Sequence, residues 1–382
     1  MFAHDVEALQ RIADAARAAG VLALDTEFMR EKTYYARLCL LQFAAGDESW
    51  IVDPLETRDL GPILEVLLDR SVVKVLHAGG QDLEILNRLA GSPPAPVFDT
   101  QTAATLAGFP SQVGYARLVK DMFDVDIDKS DTYTDWSRRP LTPAQIDYAL
   151  ADVRYLPEAY AILSERLERE GRLEWLDTDL QRLSDPATYA DDADQQYRRI
   201  KRASSLSRRQ LGVLQHVTAW REREARRRDL PRRWVVGDET LVEVARRQPT
   251  DAAALGALRG LNIRAIGENG RGLLEAVCRG LEMPEADLPR MPKRPRTVID
   301  IEGIVELMGA LVRVRASEHG VAVPLLATRA DLEHLAGGER DESPLLAGWR
   351  KSLIGDDLVD LLDGRLTLRV ADGKVVPERN GS

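Results

Sequence analysis

The chain has little of what many enzymes and secreted proteins rely on. Its 382 residues include two cysteines, Cys39 and Cys278, far apart and without metal-ligand spacing. That argues against a disulfide framework and against a zinc site. There are only five histidines, and no Ser, Cys or His nucleophile array stands out. No apolar run approaches the roughly 18 residues needed to span a membrane. The start, Met1-Phe2-Ala3-His4-Asp5, has neither a basic region nor an apolar core, so no signal peptide is expected. The chain reads as cytosolic and reduced. It also lacks a positive balance: the net charge of −10 argues against a polyanionic partner. The distribution changes that argument. Residues 1–197 carry −16, residues 198–280 carry +10 and residues 281–382 carry −4.

What is present is acid in unusual places. Val21-Leu22-Ala23-Leu24-Asp25-Thr26-Glu27-Phe28 is a short apolar run after a glycine and reads as a strand. Residues i and i+2 of a strand share a face, so Asp25 and Glu27 project side by side. Two anions that close repel and resist desolvation. A hard divalent cation with a preference for oxygen ligands relieves both problems. The plainer reading puts one acid at the exposed strand end and the other in a salt bridge.

Further acids sit at element ends. Val72–His77 reads as a β-branched strand, and Asp82 falls near the start of the amphipathic helix after it. There an acid either pairs with the helix dipole or faces a metal. Thr142, Pro143 and Gln145 form a capping-box start. The helix they open places Tyr148 and Asp152 on one face at i and i+4. Such a pair either bonds internally in a core or serves a site. His77 reads as structural, and Asp99 as the cap of a helix beginning near Thr100.

The order of D-x-E on a strand, an Asp early in a helix, and Y-x3-D on a later helix resembles the DEDD exonuclease superfamily. It fits the tyrosine subclass, because position 147 is Asp and not His. The strings LALDTEFMREKTYYARLCLLQ, VLHAGGQDLEIL, VFDTQTAATLAG and TDWSRRPLTPAQIDYALADVRYL narrow this to a resemblance to the ribonuclease D family over about residues 1–175. The resemblance implies a ribonuclease-H-like α/β fold, a mixed five-stranded sheet with flanking helices, followed by all-α HRDC-type domains. It implies two-metal phosphodiester hydrolysis with two divalent cations, Mg²⁺ or Mn²⁺, about 3.5–4 Å apart. Asp25 would bridge them, Glu27 would hold the nucleophile-side ion, and Asp82 and Asp152 would complete the shells. Asp82 would act there directly or through a water. Tyr148 would orient the attacking water, since a phenol titrating near about 10 is a poor base at neutral pH. Thr26, Phe28 and Gln81 would touch substrate. For Phe28, stacking on the terminal base competes with a place in the core.

The basic segment has an apolar helical face of Leu206, Leu211, Leu214, Val217 and Trp220, then Arg221, Arg223 and Arg226–Arg228. Leu-x-x-Trp-Arg followed by Leu-Pro resembles the HRDC module. Arg226, Arg227 and Arg228 would contact phosphates, or else form a solvated face. The expected organisation is an exonuclease domain over 1–175, a linker over 176–205 and an HRDC domain over 206–284. A Pro-rich basic linker over 285–297 leads to a divergent HRDC-like domain over 298–370 and a tail over 371–382. In that second helical domain Ile304, Leu307, Met308 and Leu311 share a face. The expected activity is a 3′→5′ exoribonuclease that releases nucleoside monophosphates from RNA 3′ ends. Its expected substrates are tRNA precursors and other structured RNAs, and it would act as a monomer in the cytoplasm without a membrane partner. A DNA 3′→5′ exonuclease and a catalytically silent RNA-binding protein are the alternatives.

Overall fold

The computed structural model describes residues 1–127, 134–190, 192–258, 260–261, 263–291, 301–341 and 343–380, with the side chains of 178 and 263–269 left aside. The chain divides into two compact units. The first comprises Met1–Glu27, Leu38–Tyr189 and Thr297–Ser382, and the second Phe28–Arg37 and Ala190–Arg296.

The first unit is built on a mixed sheet. Its strands are β1 (Phe2–Ala3), β2 (Val21–Met29), β3 (Arg37–Ala45), β4 (Glu48–Val52), β5 (Val73–Leu76) and β6 (Val97–Asp99), in the order β1-β4-β3-β2-β5-β6. β3 and β4 run antiparallel, with Gln42 opposite Ile51, while β5 lies parallel to both β2 and β6. The sheet thus has six strands, not five. β1 is two residues long and pairs parallel to β4 through Phe2 and Ala3, too short for any periodicity to reveal.

Side-chain alternation along β2 divides the interior in two. Leu22 and Leu24 enter a core with Leu41 and Phe43 of β3, under helices α1 (Val6–Ala19), α2 (Gly61–Leu68) and α3 (Gly80–Ala90). Ala23 enters the core on the other face. That core is covered by α4 (Thr100–Leu106), α5 (Tyr115–Phe123), α6 (Pro143–Arg154), α7 (Leu156–Arg169) and α8 (Leu173–Ser184). Asp25 and Glu27 have the parity of Ala23, so the strand delivers both acids to this second face.

The C-terminal residues complete that same core. Val305, Met308 and Leu311 of helix Glu302–His319 are buried in one cluster with Leu163, Leu167 and Leu176, and Trp349 stacks on Trp175 at 5.0 Å. Leu307, expected on the buried face, is 45% exposed, because the packed stripe runs through Val305, Met308 and Val312. Two further expectations need correction. Residues 176–205 are mostly helical, and α8 buries Leu176 and Leu180. The region expected to be all-α ending in a tail at 371 closes instead with a hairpin, β7 (Leu366–Ala371) and β8 (Lys374–Arg379). Of the Pro-rich linker expected over 285–297, residues 285–291 form neither helix nor strand and bury Leu288, and the remainder lies outside the described residues.

In the second unit, helix Arg208–Arg228 packs against helices Ile263–Glu282 and Asp238–Arg247. Ser207 and Gln210 form a capping box at its start, and Leu211, Leu214 and Val217 are buried as their spacing predicts. The helices approach closely at Gly280, where a Cβ would meet the Val213 backbone at 2.5 Å.

Candidate active site

Three elements deliver the expected side chains. β2 carries Asp25 and Glu27, α3 carries Asp82, and α6 carries Tyr148 and Asp152. The turn before α3 is tight. Ala78 has a φ of +56°, and a Cβ on Gly79 would come within 2.6 Å of Leu76. The Gly79 N–H donates to Asp99, which also caps α4 through the N–H groups of Gln101 and Thr102, as expected from sequence. α6 begins with the predicted capping box of Thr142 and Gln145, which fixes the helix register.

Asp25, Glu27 and Asp152 converge, with carboxylate oxygens within 4.8 Å of one another. All three are partly buried. Burial, then the charges of Asp82, Asp152 and Glu27, holds the Asp25 carboxyl well above the usual range. Burial, then Asp152 and Asp82, pushes Glu27 up to about 8. Among the described residues neither Asp25 nor Glu27 has an Arg or Lys partner. An all-oxygen donor set that repels itself when ionised fits a hard divalent cation.

Asp82 stands slightly apart. It is 8% exposed and accepts a hydrogen bond from the Thr26 hydroxyl. Burial raises its pKa and the Thr26 hydroxyl opposes that rise. Thr26 is itself 5% exposed, so its side chain supports Asp82 and does not face solvent as a substrate contact would. Gln81 is exposed on the first turn of α3, and Phe28 is partly buried on β2. Tyr148 is partly buried and lies against Trp136, ring centroids 6.0 Å apart.

His77 is structural, as expected. Its ring nitrogens lie 2.9 Å from the Thr100 hydroxyl and 2.9 Å from the Val113 carbonyl, and burial lowers its pKa. Sequence reasoning missed Tyr115. Its hydroxyl donates to the Ala151 carbonyl at 3.0 Å and accepts from the Tyr155 N–H at 3.3 Å, bracing the end of α6 beside Asp152.

The arginine run lies in the second unit, where much of it is engaged. Arg226 and Arg232 donate to the Tyr34 hydroxyl at 3.1 and 3.0 Å, and that hydroxyl donates to Glu222 at 3.1 Å. Asp229 accepts the backbone N–H groups of Tyr34 and Tyr35. Arg227 bonds Glu224 at 2.7 Å, and Arg228 lies 3.8 Å from the same carboxylate. Arg227 and Arg228 remain exposed, whereas Arg226 is partly buried.

Comparison with known proteins matches this arrangement. The family described as 3′-5′ exonuclease matches residues 2–168, and the HRDC domain family matches residues 210–277. A protein named ribonuclease D from Gluconacetobacter diazotrophicus is 45% identical over 97% of this chain and 94% of its own length. Another ribonuclease D, from Granulibacter bethesdensis, is 43% identical over 93% of this chain and 90% of its own. The crystal structure of Escherichia coli RNase D, an exoribonuclease involved in structured RNA processing, matches with a TM-score of 0.83 at 34% identity. That match covers 95% of this chain and 98% of the other. The chain belongs to the ribonuclease D family of 3′→5′ exoribonucleases.

Proposed function

We propose that the chain removes nucleoside monophosphates one at a time from RNA 3′ ends, using two divalent cations, Mg²⁺ or Mn²⁺, held by Asp25, Glu27, Asp82 and Asp152. The observation that carries this reading is the convergence of Asp25, Glu27 and Asp152 with no cationic side chain against Asp25 or Glu27 among the described residues. Divalent cations bound there would lower the pKa of the attacking water and offset charge on the departing 3′-oxygen.

The protein groups do the rest. Asp25 and Glu27 fix the oxygen ligands on a rigid strand, and Asp152 closes the set from α6. Asp82, turned towards Thr26, contributes through a water it holds. Tyr148 hydrogen-bonds the attacking water and aligns it with the scissile phosphorus, which is positioning and not base catalysis. Phe28 and Gln81 contact the terminal nucleotide. Arg227 and Arg228 bind phosphates of the RNA. Structured RNAs, tRNA precursors among them, are the proposed substrates of a monomeric, cytoplasmic enzyme; the E. coli relative's part in structured RNA processing supports the substrate class alone.

The test is a 5′-labelled RNA incubated with Mg²⁺ or Mn²⁺, with and without chelator, beside a matched DNA. A ladder shortening from the 3′ end, abolished by chelator and faster on RNA, is expected. Equal rates on DNA would reassign the substrate. Binding without shortening would reduce the chain to a silent RNA-binding protein.

A further inference from the structure

The loop before α6 is tied down far more firmly than a connecting loop needs, and the tie leads to Tyr148. Arg139 sits in this loop and spends its guanidinium on four acceptors. Nε donates to Asp53, which lies just past β4 and is 2% exposed. Nη2 donates to the Cys39 carbonyl of β3 at 2.8 Å. Nη1 donates to the Trp136 carbonyl at 2.8 Å and to the Arg138 carbonyl at 2.7 Å. One planar, rigid fork thus joins the sheet to the backbone of Trp136. A second tie, from Gln145 Nε2 to the Thr134 hydroxyl at 2.9 Å, joins the loop to the first turn of α6. Trp136 is 3% exposed, too enclosed to serve as a stacking surface for a base, and its ring lies tilted at 39° against Tyr148.

We infer that Arg139, held by Asp53, is a positioning residue that sets the Tyr148 phenol through Trp136. The inference rests on the reading of Tyr148 as the group that orients the attacking water. The side chain of Trp136 forms one wall beside the Tyr148 ring. Its main-chain carbonyl is fixed by Arg139, so loss of the guanidinium frees the loop and the wall together. An error of about 1 Å in an orienting group costs up to about 100-fold in rate, and it does so in the chemical step. Metal binding is untouched, because among the described residues neither Arg139 nor Trp136 forms a hydrogen bond, ion pair or ring contact with Asp25, Glu27 or Asp152.

The full chain is assayed under single-turnover conditions on a short RNA oligonucleotide, with Mn²⁺ titrated separately by calorimetry. Tyr148→Phe should slow the step by about 100-fold. Arg139→Ala should slow it by about 10- to 100-fold with Mn²⁺ affinity within twofold of wild type, and Arg139→Lys should recover little, since an ammonium cannot reach four acceptors at once. The deciding measurement is the double variant. Arg139→Ala in the Tyr148→Phe background should cost less than threefold more, because the group it positions is gone. Multiplicative losses, or wild-type rate in folded Arg139→Ala, would overturn the inference. Wild-type rate in Tyr148→Phe would overturn the reading of Tyr148 instead. If Arg139→Ala does not fold, Trp136→Leu is carried through the same cycle, and full additivity there counts equally against the proposal.

Discussion

Two buried acidic sites, one in each unit, treat the same problem in opposite ways. Glu222 of helix Arg208–Arg228 is fully buried, yet it lies 2.7 Å from Arg232 and 3.3 Å from Arg221, and it accepts the Tyr34 hydroxyl. Arg226 and Arg232 also lie over the Tyr34 ring, at 5.7 and 4.7 Å. Its charge is neutralised by the chain itself. Asp25 and Glu27 have acids for neighbours, and their pKa values climb accordingly. A buried carboxylate that brings its own arginine is architecture. A group of them that brings none is built for a cation from outside.

Exchanging charge for a neutral isostere at each place should separate the two roles by the largest margin. Asp25→Asn, or Asp152→Asn, should cut the hydrolytic rate by at least about 100-fold, the scale of one lost electrostatic group. Because an amide needs neither a bound proton nor a buried charge at this position, Asp25→Asn should also raise the Tm of the metal-free protein. Glu222→Gln should do the reverse. Breaking a buried pair by removing one partner costs about 3–5 kcal/mol, while the metal dependence of oligonucleotide hydrolysis stays as in wild type. Near-normal turnover in Asp25→Asn with metal present would undo the site assignment. An unchanged Tm in Glu222→Gln would undo the architectural reading of the second cluster.

The pH dependence sharpens the same contrast. The folded pKa of Glu27, about 8, lies above its ordinary 4.5, and that of Asp25 is raised as well. The folded, metal-free protein therefore binds these protons more tightly than the unfolded chain does. The stability that this contributes is complete below about pH 4.5 and is lost as pH rises through about 8. Metal must displace the protons, so its affinity should increase over that window. Thermal melts across pH 5–8 should show a falling Tm without metal, and a larger rise on adding Mg²⁺ at pH 8 than at pH 6. A metal-induced rise independent of pH would mean that these acids are already ionised in the apo site.

Of the five residues expected at the site, four sit where a simple period places them, and Asp82 was picked out by its place at the start of a helix. Asp25 and Glu27 follow the two-residue repeat of β2, and Tyr148 and Asp152 follow the four-residue spacing of α6. What held them in place was not legible. Arg139 stands in the stretch that leads into α6, but its partner Asp53 is 86 positions away, and no local pattern links them. Tyr34 looks like one of two adjacent tyrosines on an ordinary loop, and only the fold encloses it among Glu222, Arg226 and Arg232. The C-terminal hairpin did leave a signal. Asp372-Gly373 between two β-branched runs is a two-residue turn pair, and both residues have positive φ, 48° and 73°. Helical periodicity just before it drew the reading towards an all-α end. The helix that enters the segment read as a linker, 176–205, was not legible because charged exposed positions hide the narrow stripe of Leu176 and Leu180.

The smallest effect concerns the arginine run, where one helix holds both kinds of charge. Deleting everything after about residue 185 is not a clean test, because Val305, Met308 and Leu311 share a core with Leu163 and Leu176. Point substitutions are cleaner. Arg227 and Arg228 are exposed although their shared partner Glu224 is buried, so either can turn from that carboxylate to a phosphate while the other stays beside it. Arg226 is spent on Tyr34. Each phosphate contact contributes about −0.7 to the slope of log affinity against log salt for a single strand. The double variant Arg227→Ala, Arg228→Ala should therefore flatten that slope by about 1.4, and the Tm should fall as well because the buried Glu224 loses both of these partners. Arg226→Ala should lower the Tm and leave the slope alone. A slope unmoved by the double variant would make these two arginines a solvated face, and a slope moved by Arg226→Ala at constant Tm would make the Tyr34 contact expendable.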